Sequence, residues 1–203
     1  SMYKENNNGF SGYIADTTLE TSNITSEQNL NNYPIELNTI EAKNDSGLEN
    51  SSMFKVRGLP LNSPKGFSEI FSKYLDIFGV KIYATSKTLD NDVKHAGIIL
   101  AEYLDNNEDG VVDDPSVVNS LIEQNATIVM FKDEYEEGSV LRSTQARALE
   151  NSSLNFQNLY GEETIPEGSG NGKFDASLEE ILHLITDYGY SQVYKNELST
   201  REF

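Results

Sequence analysis

The chain has 203 residues, with 15 Lys and Arg against 33 Asp and Glu, a formal net charge of −18, no Cys and no Trp. That length supports a hydrophobic core without covalent staples, and the missing Cys excludes a disulfide framework, a thiolate zinc site and a cysteine nucleophile. So negative a surface repels phosphate backbones and anionic membranes, which removes nucleic acid from the expected partners and leaves metal cations, or a peptide or cationic protein.

No apolar run approaches the roughly 18 residues that a membrane span needs. Residues 1–50 are rich in Asn, Ser, Thr and Glu with no sustained apolar period, so they read as a poorly ordered tail or linker. Residues 51–203 read as a single domain. Met53-Phe54-Lys55-Val56 opens it as a short strand, and Gly58, Pro60, Pro64 and Gly66 punctuate a connection rich in turns.

Phe67, Ile70, Phe71, Tyr74, Leu75 and Phe78 recur at helical spacing, which predicts an amphipathic helix with Gly79 as its C-cap. Val80 to Thr85 alternates as a strand. Asp90 or Asn91 then caps a helix to Leu104 that is apolar nearly all round and so is expected to be buried. Asp114-Pro115 is a capped helix start, with Val117, Val118, Leu121 and Ile122 facing inward. Ala126 to Phe131 predicts a strand and Val140 to Leu149 a helix; Gly161 to Lys173 is a glycine-rich loop. Asp175 caps a last helix with Leu178, Ile181, Leu182 and Ile185 on its core side. The order of elements predicts an α+β fold, a small β-sheet packed with several helices.

The strongest local pattern lies between the second and third predicted helices. Asp105, Asn107, Asp109 and Asp113 occupy loop positions 1, 3, 5 and 9, Gly110 sits at 6, and Val111 offers a carbonyl at 7. Calcium takes six to eight hard oxygens, and this spacing wraps them around one point while glycine makes the tight turn. Residues 92–125 therefore resemble an EF-hand or one of its relatives, the dockerin-type and type-3 thrombospondin calcium loops. The resemblance implies a calcium site at Asp105, Asn107, Asp109, Val111 and Asp113. Ser116 stands where an EF-hand has its bidentate Glu, which points to a weaker structural site suited to millimolar calcium outside cells. With Ser1-Met2 read as an expression remnant, the expectation is a secreted or cell-surface protein whose signal peptide has been removed. Asn171-Gly172-Lys173-Phe174-Asp175 faintly echoes a second such loop.

At 100° per residue, Glu179, Glu180, His183 and Asp187 share the polar face of the last helix. Glu179-Glu180-Ile181-Leu182-His183 resembles the zinc-peptidase helix H-E-x-x-H with its first His replaced by Glu, and the element order resembles the zincin layout. That resemblance implies zinc on Glu179 and His183, with Asp187 as a third ligand and Glu180 as the base that deprotonates bound water. His95, on the backing helix, either approaches this site or simply packs. Two functions follow: a calcium-binding domain with a metallopeptidase-like hydrolase site, or a non-catalytic binding or adhesion module that calcium stabilises.

Overall fold

A computed structural model describes residues 4–6, 9–11, 52–168 and 172–195. Within the expected N-terminal tail, strand β1 (Lys4–Asn6) pairs antiparallel with β2 (Gly9–Ser11), and the rest of that tail lies outside the described residues.

The domain is α+β, built on a four-stranded mixed sheet in the order β3 (Lys73–Ile77), β4 (Val80–Ala84), β5 (Ala126–Phe131), β6 (Asn155–Tyr160). The β3–β4 pair is antiparallel; β4–β5 and β5–β6 are parallel. The first crossover carries α1 (Asp90–Leu104) and α2 (Pro115–Glu123), the second α3 (Glu134–Leu141) and α4 (Ala146–Glu150), and α5 (Ala176–Ile185) follows β6. Successive strand side chains point to opposite faces, and both faces of the central strands are covered. Ile82, Ile128 and Met130 join α1, α2 and α5 in one apolar cluster. Tyr83, Val129 and Phe131 join Phe67, Phe71 and Leu149 in another. This is why all six residues of β5 are buried.

The sequence signals for β4, α1, α2, β5 and α5 all lead to elements at those places. Asp114 caps α2 by accepting from the Ser116 and Val117 N–H groups, and Asp175 caps α5 by accepting from Ser177 N–H; α1 differs from expectation, since Asp90 and Asn91 lie inside the helix and its N-cap is Leu89, which has no side chain to accept. Nearly every residue of α1 from Asp92 to Leu104 is buried, as its all-round apolar character requires.

Four expectations are corrected. The helix expected from Phe67 to Phe78 is a single 3-10 turn, Phe67–Glu69, followed by β3. Leu75 and Ile77 alternate with Tyr74 and Asp76 across the sheet, and the Val80–Ala84 strand offers a complete ladder that a lone helix would forgo. Phe78 and Gly79 both have positive φ, 51° and 91°, the two-residue turn that matches hairpin twist. Asp76 braces it by accepting from Gly79 N–H at 2.8 Å, so Gly79 is a hairpin residue and no helix cap. Second, Ser52–Phe54 is a 3-10 turn, and the strand-like contact falls at Arg57, which pairs with Tyr74 on the outer edge of β3. Third, the helix expected at 140–149 divides into α3 and α4, with the Ser143 hydroxyl bonding the Val140 carbonyl at the break. Fourth, two residues expected to face the core do not: Leu182 is 43 % exposed, the core stripe of α5 running through Ile181, Leu184 and Ile185, and Ile122 is 41 % exposed, α2 facing inward through Val117, Val118 and Leu121. Strand β6 had no clear signal, because Asn155-Phe-Gln-Asn-Leu-Tyr breaks alternation with polar Gln157 and Asn158 side by side, one on each face of the sheet.

Candidate functional site

Asp105 is the C-cap of α1, so the acidic loop starts where the helix delivers it. Asp105 is 0 % exposed. Its two carboxylate oxygens accept from Asp109 N–H at 3.3 Å and Gly110 N–H at 3.0 Å. Asn107 Oδ1 also accepts from Asp109 N–H, at 2.9 Å, and Asp109 Oδ1 accepts from Val111 N–H at 2.8 Å. Asp113 closes the loop twice: its carboxylate accepts from Asn106 N–H at 2.7 Å and its own N–H donates to the Leu104 carbonyl at 2.9 Å. Gly110 has φ of 90°, the left-handed turn expected of position 6. Loop and both flanking helices are therefore one folded unit.

The electrostatics of this unit are unfavourable for an anion. Burial pushes the Asp105 carboxyl above the usual carboxylate range; the Gly110 and Asp109 N–H groups pull it back, and the charges of Asp109 and Asp113 raise it further. Among the described residues, no Lys or Arg forms an ion pair with any of these three. Each carboxylate oxygen keeps lone pairs beyond the N–H it accepts. The donor set, three carboxylates, one amide oxygen and a loop carbonyl, consists of hard oxygens and fits calcium. A cavity of about 360 Å³ adjoins the loop at Asn106 and Asp113 and is lined also by Glu102, Tyr103, Asp114 and Tyr190.

The polar face of α5 is organised differently. His183 is 53 % exposed, with Glu179 Oε1 3.9 Å from its Nε2 and Glu180 Oε2 3.7 Å from its Nδ1. Gln157 of β6 donates to Glu180 Oε2 and fixes that carboxylate against the sheet. Asp187 falls in a π-helical turn, Thr186–Tyr190, where its carbonyl accepts from Gln192 Nε2 at 3.1 Å and its side chain is exposed. The fold thus brings Glu179 and Glu180 to His183 and does not bring Asp187 into contact with it. With Asp187 out of reach and Glu180 kept as the base, Glu179 and His183 supply two of the three protein ligands of a catalytic zinc. Among the described residues, neither this face nor the acidic loop gathers three or more His, Asp or Glu side chains into a group that could hold a metal ion as they stand, so the loop carboxylates would have to turn from the N–H groups they accept to close on one.

His95 packs. Its Nε2 lies 2.6 Å from Asp175 Oδ2, and its side chain is 10 % exposed. Burial would raise the Asp175 carboxyl, but hydrogen bonds from His95 and Ser177, the charge of His95, and Ile165 N–H hold it below the usual range. Asp175 Oδ1 also accepts from Ser177 Oγ at 2.6 Å and from Ile165 N–H at 3.2 Å. Those commitments take Asp175 out of the echoed second calcium loop, whose Asn171 lies outside the described residues. Sequence reasoning found each partner of this pair but not the pairing, since 80 residues separate them.

The helices flanking the acidic loop also hold the C-terminal segment. Tyr103 of α1 donates to the Leu178 carbonyl at 2.9 Å, and Ser120 of α2 donates to the Tyr188 carbonyl at 2.7 Å. Tyr194 donates to Asp114 Oδ2 at 2.5 Å, which with the helix N–H groups holds Asp114 below the usual carboxylate range.

Compared with known proteins, the chain matches no family model, no curated protein and no solved structure.

Proposed function

We propose that this is a calcium-stabilised domain whose loop, Asp105 to Asp113, takes one Ca²⁺ through Asp105, Asn107, Asp109, Val111 and Asp113. The observation that carries the reading is the wholly buried Asp105 carboxylate, set beside Asp109 and Asp113 with no basic partner among the described residues. Like charges at this spacing repel, and a divalent cation turns that repulsion into attraction at a single point. Ser116 at position 12 makes the site a modest one, suited to calcium outside cells, which agrees with a secreted or surface protein. The cation would lock the α1–loop–α2 unit and, through Tyr103, Ser120 and Asp114, the C-terminal segment packed on it. On this reading the protein is a binding or adhesion module.

Calcium titration followed by thermal melting tests this. Ligand at 100 times its dissociation constant adds about 2.7 kcal/mol of stability, a shift of several degrees. The melting temperature is expected to rise with calcium in the parent and not in Asp105→Asn. No rise, or an equal rise in the variant, disposes of the proposal.

One observation favours a second reading, metal-assisted hydrolysis on α5: Glu179 and Glu180 both approach His183, and Glu180 is braced by Gln157. There Glu180 would hold and release the proton of an attacking water, which zinc would acidify when bound. Elemental analysis separates the two readings. Stoichiometric zinc that is lost on Glu179→Ala or His183→Ala supports the hydrolase, and calcium alone assigns the non-catalytic module.

A further inference from the structure

The two outer edges of the sheet are treated differently by the chain. On β3, Arg57 pairs with Tyr74 through both backbone bonds, Arg57 N–H to the Tyr74 carbonyl at 3.1 Å and Tyr74 N–H to the Arg57 carbonyl at 2.8 Å. On β6, none of the described residues pairs with the outer side. Asn155 N–H donates to the Asn125 carbonyl, so Asn155 faces β5, and by alternation the N–H and C=O groups of Phe156 and Asn158 face outward. The next outward carbonyl, that of Tyr160, accepts from Thr164 Oγ1 at 2.9 Å and ends the open stretch.

Proteins commonly blunt such an edge with Lys, Pro, a bulge or a very short strand. Strand β6 has none of these: it runs six residues in unbroken register with β5 and contains neither Lys nor Pro. Its surroundings are acidic. Glu162 and Glu163 are exposed just past its C-terminal end, Glu179 is exposed on α5, and Glu180 is held to β6 by Gln157. Among the described residues, no Lys or Arg forms an ion pair with any of the four.

We propose that the outer edge of β6 docks an extended basic peptide segment, which adds to the sheet as a further strand through the backbone of Phe156 and Asn158. Main-chain hydrogen bonds supply the affinity of such an addition, and alternate side chains supply its selectivity. The four carboxylates select Lys or Arg at the positions that fall over α5 and the end of β6. The proposal does not depend on hydrolysis or on calcium; a peptide seated here passes beside Glu180 whether or not that residue works on a bond.

The probe is a six-residue peptide alternating Lys and Val, blocked at both ends, added to the full chain while amide hydrogen exchange is followed residue by residue. Exchange at Phe156 and Asn158 is expected to slow about tenfold or more. A peptide with Glu in place of Lys is expected to give no protection, and one N-methylated on alternate backbone nitrogens is expected to lose it. Glu179→Gln with Glu180→Gln, both near the surface, is expected to weaken binding of the Lys peptide without lowering the melting temperature. Unchanged exchange at Phe156 and Asn158, or equal protection by the N-methylated or Glu peptide, overturns the proposal. Protection already present in the free chain assigns the edge to its own residues, and protection that grows with protein concentration assigns it to a second copy; either result overturns it too.

Discussion

The molecule has two histidines, and each sits beside carboxylates, yet the two arrangements do different work. His95 and Asp175 are both buried, at 2.6 Å, and their contact ties the N-cap of α5 to the middle of α1. His183 is more than half exposed, and its nearest carboxylates are 3.7 and 3.9 Å away on its own helix. A buried pair has surrendered its hydration, so removing one partner strands the other in a medium of low polarity. An exposed pair keeps its water and contributes little to folding. The same residue types are therefore structural in one place and available for ligand or chemistry in the other, and burial alone makes the difference.

The largest expected effect breaks the buried pair. His95→Ala should cost about 3–5 kcal/mol in urea denaturation at neutral pH, because the Asp175 carboxylate is left buried. A cost below about 1 kcal/mol would show that the pair is not the strut described. The same pair has an acid signature. Asp175 titrates below the usual range, so its contribution is fully present above the ordinary carboxylate pKa and is lost as pH falls through its lowered value, that is below about pH 4. Asp175→Asn should flatten that acid limb in a plot of urea midpoint against pH.

A second contrast lies within α5 itself. Leu184→Ala, at a wholly buried position, should cost about 2–5 kcal/mol, and Leu182→Ala under about 1 kcal/mol. Equal losses would return Leu182 to the core and rotate the polar face away from solvent.

The calcium loop gives a smaller effect whose sign is informative. Asp105 titrates above the usual range, so its ionisation costs stability, a cost absent at low pH and fully present once pH has risen through its raised value. Asp105→Asn removes that cost but sets an amide NH2 against one of the two N–H groups the carboxylate accepts; in chelator at pH 7 a melting temperature above the parent's means that the charge outweighs the lost bond, and any such gain should vanish below about pH 3.9. The smallest effect belongs to the exposed pair: His183→Ala should change stability by no more than about 0.5 kcal/mol. A larger loss would mean that the α5 face is covered.

What could be read in advance was local. The Asp114-Pro115 start and the Asp175 cap are signals carried by adjacent residues, since a side chain and the N–H groups it caps are covalent neighbours. The acidic loop is legible for the same reason: nine consecutive residues place its donors, and the turn at Gly110 follows from glycine's freedom at positive φ. The segment Phe67 to Phe78 was misread because helical and alternating patterns overlap over a short apolar run, and the partner strand that settles the matter lies beyond its end. Strand β6 was missed because its polar positions are matched to Glu180 on one face and to Glu137 on the other, neither of which is near it in sequence.

The sequence by itself therefore determined the α+β composition, the Asp114 and Asp175 helix caps and the acidic loop with its spacing, all of which depend on residues within a few positions of one another. Only the tertiary structure decided that His95 belongs to Asp175, that Leu184 and not Leu182 faces the core, and that the outer edge of β6, unpaired among the described residues, lies among acidic side chains. Those depend on which surfaces meet after the chain has closed loops of 23 and 80 residues, the separations of Gln157 from Glu180 and of His95 from Asp175. Burial, which sets the energetic weight of each contact, exists only once they have met.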